Sequence, residues 1–256
     1  MRSRTALLAV LIVLLLAVGG GAMAWVLFLK GDHVAPLALP STPAASGVAA
    51  GSSDAGSAAS SDPSLAPASG AAIDAASLPG TWSIATGSEV GYRVREKLAS
   101  LSADSDAVGR TSGITGTATV TASGSILSVT AAAFTVDMTS LASDRQMRDN
   151  RLRRDGIETD SFPTSTFTLT QAVALPAEAT TGAQVNVTLH GDLTLHGVTK
   201  QVDIPAQAQV NGSVIQVAGS LAFPFSDYNI NAPNIGGFVS VEDHGTLEFL
   251  INLAKS

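Results

Sequence analysis

The chain reads as an all-β domain, an antiparallel barrel of about eight strands carrying one short helix, preceded by a transmembrane helix and a disordered linker. Three observations predict this. From Gly80 onward, apolar residues recur at every second position with turn residues at short intervals, the signature of a half-buried antiparallel barrel or sandwich. A single stretch breaks that pattern, residues 141–167, where five arginines fall between Arg145 and Arg154 of an otherwise acidic chain. Residues 6–29 are almost wholly apolar, and 24 residues at about 1.5 Å each give a helix of roughly 36 Å, enough to cross a bilayer with some tilt.

The expected organisation is an anchor helix over 1–30, a linker over 31–79 and the barrel domain over 80–256. Arg2 and Arg4 precede the apolar run, and after Lys30 the next basic residue is Arg93, so the positive-inside rule places the domain outside the cytoplasm. A cleaved signal is the competing reading, because Ala22-Met23-Ala24 resembles a processing site near Ala24. The uncleaved anchor is preferred because Trp25 to residue 29 continues the apolar run beyond it. The linker is Ala, Ser, Gly and Pro with scattered Asp, which buries too little apolar surface to offset the entropy of ordering. As a flexible tether of about 48 residues it would span roughly 40 Å.

Within the domain, Trp82 and Ile84 lead in, and Val90, Tyr92 and Val94 alternate on one face. Residues 98–113 lack clean alternation and read as an excursion or a short helix with a loop. Strands are expected over 116–122 and 126–138, joined by a Ser123-Gly124 turn, the second with a bulge near Ala133 where its parity shifts. Asp144 is the expected N-cap of the interrupting helix and Gly156 its stop. Phe162-Pro163 then forces extended chain, and 166–175 is a strand with Phe167, Leu169 and Val173 on one face. Residues 184–195 alternate through Val185, Val187, Leu189, Leu193 and Leu195, and Gly197-Val198-Thr199-Lys200 turns the chain into a strand over 201–210. Asn211-Gly212 is the strongest hairpin signal. It leads into Ile215, Val217, Leu221, Phe223 and Phe225 on one face. A loop over 226–237 follows, then strands over 238–241 and 246–254, the last with Leu247, Phe249, Ile251 and Leu253 inward.

Composition narrows function. With a formal net charge of -7, bulk nucleic-acid binding is not expected, since phosphate neutralisation needs a basic face larger than one arginine cluster. The chain has no cysteine, which rules out a disulfide framework, a thiolate metal site and a cysteine nucleophile. No nucleophile elbow, P-loop, dinucleotide fingerprint or zinc-helix motif occurs, so an enzyme is not expected, and no cofactor. His190 and His196 share parity on the polar face of one strand, about 20 Å apart at 3.3 Å per residue, too far to share a metal. His244, beside Glu242 and Asp243, reads as a turn histidine. No metal site is expected.

Two motifs carry a resemblance. Arg148-Asp149, Leu152, Phe162-Pro163 and Phe167 form one; Gly191, Leu193-Thr194 and Gly197-Val198-Thr199-Lys200 form the other. In this order, with the opening strand from Trp82 to Val94, they resemble the YceI-like family, lipocalin-type barrels that bind isoprenoid lipids. The resemblance covers roughly 80–253. It departs where the family carries a His-Ser pair and this chain has Gly87-Ser88, and where 92–116 is longer than the usual first hairpin. It implies a polyisoprenoid or other long-chain lipid held inside the barrel. On this reading the inward wall comprises Tyr92, Val94, Phe134, Phe167, Leu169, Leu189, Leu221, Phe223 and Phe249. Arg148, Arg151 and Arg153 are candidates for a charged head group, since guanidinium forks match phosphate oxygens. Against that stand Asp144, Asp149, Asp155, Glu158 and Asp160, which make an exposed, ion-paired helix the simpler account of the arginines. The alternative function is a filled barrel that displays its loops to an extracytoplasmic partner.

Overall fold

In the computed structural model, which describes residues 34–40, 74–98, 105–232, 234–235 and 239–256, alternation from Gly80 onward becomes a closed antiparallel barrel. Its strands are β1 (Gly80–Ile84), β2 (Glu89–Leu98), β3 (Ser105–Thr111), β4 (Ile114–Ser123), β5 (Ile126–Asp137), β6 (Ala142–Ser143), β7 (Thr164–Leu169), β8 (Val173–Leu175), β9 (Val185–Leu195), β10 (Val198–Asn211), β11 (Val214–Pro224), β12 (Asn234–Ile235), β13 (Val239–Val241) and β14 (His244–Lys255). One α-helix among the described residues, α1 (Gln146–Asp155), separates β6 from β7.

These segments make eight staves. The hydrogen-bonded circuit runs β1-β4-β5-β7-β9-β10-β11-β14, and β14 returns to β1 with Trp82 opposite Lys255. β2 continues β1 along β14, with Phe249 opposite Val90, and β3 continues β4 by pairing with β2. Each stave therefore pairs with its neighbour in sequence and the last with the first, which leaves the circuit without an open edge. The break between β1 and β2 is bridged by a side chain. Ser88 Oγ donates to the Ala85 carbonyl at 2.8 Å and accepts from the Asn252 N–H at 2.9 Å, so the ladder to β14 stays satisfied where the backbone leaves it. Ser88 of the Gly87-Ser88 pair is thus a structural residue.

The core follows from parity. Trp82, Ile114, Val120, Ile204, Ile251 and Leu253 pack in one half of the barrel, closed by Leu78, whose carbonyl accepts the Trp82 indole N–H at 2.9 Å. Met138, Leu193, Leu195, Phe225, Tyr228 and Ile230 fill the other, beneath the long loops.

Several sequence expectations are corrected. Within residues 98–113, expected as an excursion or a short helix with a loop, residues 105–111 form a regular strand, β3. Its inward residues are Ala107, Gly109 and Thr111, small because the Tyr92 ring of β2 lies over Gly109, where an added Cβ would fall 2.3 Å from Tyr92 Cε1. The bulge sits at Thr130 and not near Ala133, since Thr119 faces Ala131 while Val120 faces Val129. Phe225 lies past the end of β11, in a short 3-10 turn over Phe225–Tyr228. The helix begins one residue later than expected, with Arg145 at the N-cap position; Asp144 does not cap but accepts from Arg148.

One further correction concerns the expected linker. Residues 36–40 lie within the linker as read from composition, yet Pro36–Ser256 form one unit. The Leu37 N–H donates to Glu248 Oε2 at 3.3 Å, the Pro40 carbonyl accepts from Gln184 Nε2 at 3.2 Å, and Leu39 is buried. The segment is thus a strap across the outer wall over β14, β11, β10 and β9. The expected transmembrane helix over 6–29 lies outside the described residues; among the described residues no helix is long and apolar enough to cross a membrane.

Candidate functional site

The inward faces of the staves do not meet at the barrel axis. They leave an apolar cavity of about 260 Å³, against roughly 10–15 Å³ for a single water. Leu78, Leu175 and Ala179 bound it at one end, and Leu141, Leu152, Ile157, Ile230 and Val241 at the other. Its side wall is apolar along most of its length, with Val90, Phe134, Phe167, Leu189, Val217 and Phe249 among the lining residues. A space of this lining is stable when empty of polar ligands and gains by desolvating apolar chains.

Of the wall residues expected from sequence, Tyr92, Val94, Phe134, Phe167, Leu169, Leu189, Phe223 and Phe249 line the cavity. Leu221 does not: it packs against both halves of the core. Sequence parity missed the residues that close the ends, among them Leu141, Leu152 and Ile157 around α1 and Ile230 and Val241 beyond β11. Leu152 lies in α1 and Val241 in β13, while Leu141, Ile157 and Ile230 sit on loops, where a period of two carries no information. For those around α1, the apolar positions three to five residues from the arginines were the available signal.

At the α1 end a polar cluster meets the apolar wall. Arg148 Nη2 donates to Glu96 Oε1 at 2.6 Å, and its Nη1 reaches Asp144 and, at 3.3 Å, Ser143 Oγ. Burial alone would lower the Arg148 pKa, but its hydrogen bonds and charge contacts with Glu96 and Asp144 outweigh this and hold it above the ordinary value. Asp149 Oδ1 accepts from the Ser143 N–H at 3.0 Å and its Oγ at 2.7 Å. The Arg148-Asp149 pair therefore latches α1 from both sides, Arg148 to β2 and Asp149 to β6. Arg151 and Arg153 are placed elsewhere. Both are exposed and neither lines the cavity. Tyr92 Oη is enclosed without a hydrogen-bond partner, and burial first, offset by Arg148, raises its pKa.

The second motif is a hairpin tip. His196 and Gly197 both adopt positive φ, 50° and 72°, the two-residue turn that matches strand twist. Because the turn starts at His196, that side chain leaves the polar face of β9 and does not point to solvent as parity predicted. Its ring lies 4.2 Å from Phe162, and Nδ1 is 2.9 Å from the Tyr228 carbonyl. Lys200 donates to Asp227 at 2.7 Å, tying the hairpin to the loop after β11. Gly191 lies against a wall residue of the cavity: an added Cβ would meet the Phe167 ring at 2.4 Å. His190 faces outward against Asp203, and His244 is exposed beside Glu242 and Asp243.

A family model, the YceI-like domain, matches residues 82–253. The chain belongs to the YceI-like family. A curated relative, a UPF0312 protein of Vibrio vulnificus, is 32% identical over 116 residues, 43% of this chain and 58% of the relative's length. Among solved structures, a polyisoprenoid binding domain from Saccharophagus degradans is similar over 70% of this chain and 99% of its own, with a TM-score of 0.51 and 18% identity. A Campylobacter jejuni YceI protein aligns over 62% of this chain and 91% of its own, with a TM-score of 0.48 and 18% identity. The first of these structures shows the shared fold.

Proposed function

We propose that this protein binds an apolar lipid of the polyisoprenoid class inside its barrel, and does so outside the cytoplasm, tethered by residues 6–29. The observation that carries the reading is the cavity itself, apolar over most of its length and far larger than a packing defect. A core of this size left empty forfeits dispersion contacts that an apolar chain restores. Each buried CH₂ contributes about 0.8 kcal/mol, so ten methylenes give roughly 8 kcal/mol, against association costs of about 4 kcal/mol or more. Membership of the family and the likeness to a structure described as polyisoprenoid-binding support the ligand class. In this reading the chain is a binding protein and not an enzyme. Of the cavity's polar side chains, Arg148 is held by Glu96 and Ser165 Oγ by the Thr194 carbonyl, and Tyr92 Oη alone is no arrangement for catalysis. The tether rests on the length of the apolar run and on Arg2 and Arg4.

The test is native mass spectrometry of the full chain purified from its own host in mild detergent. A co-purifying lipid of long apolar chain is expected. An empty barrel that also fails to take up polyprenyl chains in titration would remove this reading and leave the display of barrel loops to a partner in its place.

A further inference from the structure

The arginines of α1 segregate in a way that the sequence alone does not reveal. At 100° per residue, Arg148 and Leu152 fall on the face turned to the cavity, while Met147, Asn150, Arg153 and Arg154 fall on the far side, with Arg151 at the flank between them. Three of the nearby carboxylates are engaged by other groups. Asp144 takes Arg148, Asp149 takes Ser143, and Glu158 lies 3.6 Å from His196. What remains outward is Arg151, Arg153 and Arg154, with Asp155 3.8 Å from Arg151 and exposed Asp160 as the facing acids. Among them stands Met147, 86% exposed, the most exposed large apolar side chain among the described residues.

A basic rim around one protruding apolar side chain, on a chain of net charge -7, is complementary to an anionic lipid surface. Arginine heads sit at phosphate level while the thioether enters the acyl boundary. We propose that the outer face of α1 docks on anionic bilayer and sets this end of the barrel against the membrane, where an apolar chain passes between the two without crossing water. The passage rests on the lipid-binding reading above; the docking does not. Near an anionic leaflet each arginine is worth about fivefold in partitioning, and with Asp155 and Asp160 opposing two of the three the net gain is about fivefold.

The cysteine-free chain allows a direct test on the full protein. Met147→Cys carries an environment-sensitive fluorophore, and Ser125→Cys, at the β4–β5 turn of the other end, serves as control. Each is reconstituted into vesicles of phosphatidylcholine alone or mixed with phosphatidylglycerol. The expected result is a blue shift at position 147, quenched by spin-labelled lipid, in the anionic vesicles and not at position 125. High salt and the Arg151→Gln/Arg153→Gln/Arg154→Gln variant should each abolish it. Equal emission at 147 in both vesicles, or a shift that survives the triple variant, overturns the proposal. Lipid content of the triple variant by native mass spectrometry separates the two claims. An empty wild-type barrel with docking intact sinks the cavity reading alone, and a filled barrel without docking sinks this one.

Discussion

Removing the latch on α1 gives the sharpest test of how the fold holds the site. In Arg148→Ala, Glu96 loses the partner at 2.6 Å, and both side chains are well enclosed, 15% and 8% exposed. A fully buried pair that loses one member costs about 3–5 kcal/mol, and a hydrogen bond to a charged group about 1.5–3 kcal/mol. Because Arg148 keeps partial solvent access, the lower part of that range applies, about 2–3 kcal/mol. The exposed contact to Asp144 adds at most about 0.5 kcal/mol. For a domain of this size each kcal/mol shifts Tm by about 2–4 °C, so a drop of roughly 5–10 °C is expected. Arg154, exposed and bonded only to the Asn150 carbonyl within its own helix, should give Arg154→Ala a change within about 0.5 kcal/mol. The assay is thermal and urea melting of wild type, Arg148→Ala, Arg154→Ala, Glu96→Ala and the Arg148→Ala/Glu96→Ala double variant. The double variant should melt above Arg148→Ala, because the orphaned carboxylate is gone. Indistinguishable melts for Arg148→Ala and Arg154→Ala would refute the latch.

Other outcomes follow from the same geometry. Phe167→Trp or Phe223→Trp should shorten the slot and weaken long polyprenyl chains more than short ones in a titration series, whereas Arg151→Ala and Arg153→Ala, outside the cavity, should leave affinity in detergent solution unchanged. Burial raises the pKa of Tyr92 and of Tyr228, the chain's two tyrosines. Their contribution to stability is fully present below about pH 10 and is lost as pH rises above it, because there the unfolded chain releases protons that the folded chain keeps. Phenolate absorbance in an alkaline titration should therefore rise together with unfolding and not before it. Replacing 36–40 by Gly-Ser should uncover Glu248, and hydrogen exchange should show the Leu37 amide protected in the wild type and the β14 amides near Glu248 faster in the variant.

Legibility in the sequence tracked how far a residue's neighbours repeat. Strands with large inward side chains, such as β9 with Val185, Leu189 and Leu193, were readable from alternation, as was the Asn211-Gly212 hairpin. β3 was not, because its partner strand supplies the bulk that its own Ala107 and Gly109 lack, and that complementarity is a tertiary fact. His196 was misplaced by one residue of turn, which is enough to reverse a side chain. The strap over 36–40 was hidden because its few apolar residues find cover on the barrel, which composition cannot register. Of the head-group candidates, Arg148 is turned inward to Glu96 while Arg151 and Arg153 are exposed, a distinction set by the contact to β2, which lies 52 residues away in sequence.

The cavity has an origin in the pairing of rings with inward glycines. Tyr92 lies on Gly109, Phe134 on Gly116, Phe167 on Gly191 and Phe249 on Gly219, each ring within 2.3–2.7 Å of where a Cβ would stand. A ring laid flat on a neighbouring strand thickens the wall without reaching the axis, so the large side chains that would ordinarily fill a small barrel leave its centre open. The glycines differ in what an added methyl meets. At Gly191 and Gly219 it also meets backbone oxygen, Thr168 O at 2.6 Å and Pro205 O at 2.8 Å, so strand separation must shift. Overpacking of that kind costs about 1–3 kcal/mol. At Gly109 the closest atoms all belong to the Tyr92 ring, a side chain that can turn. Gly109→Ala should therefore lose little stability, partly offset by about 0.4–1 kcal/mol from the stiffer unfolded chain. Its ring, lifted off the wall, should project into the cavity near α1 and cut the capacity for long chains. Melting and lipid titration on the same sample separate the effects: a large fall in binding with a Tm within a few degrees of wild type is expected. Unchanged binding in a folded Gly109→Ala protein would show that ring placement does not set the open volume.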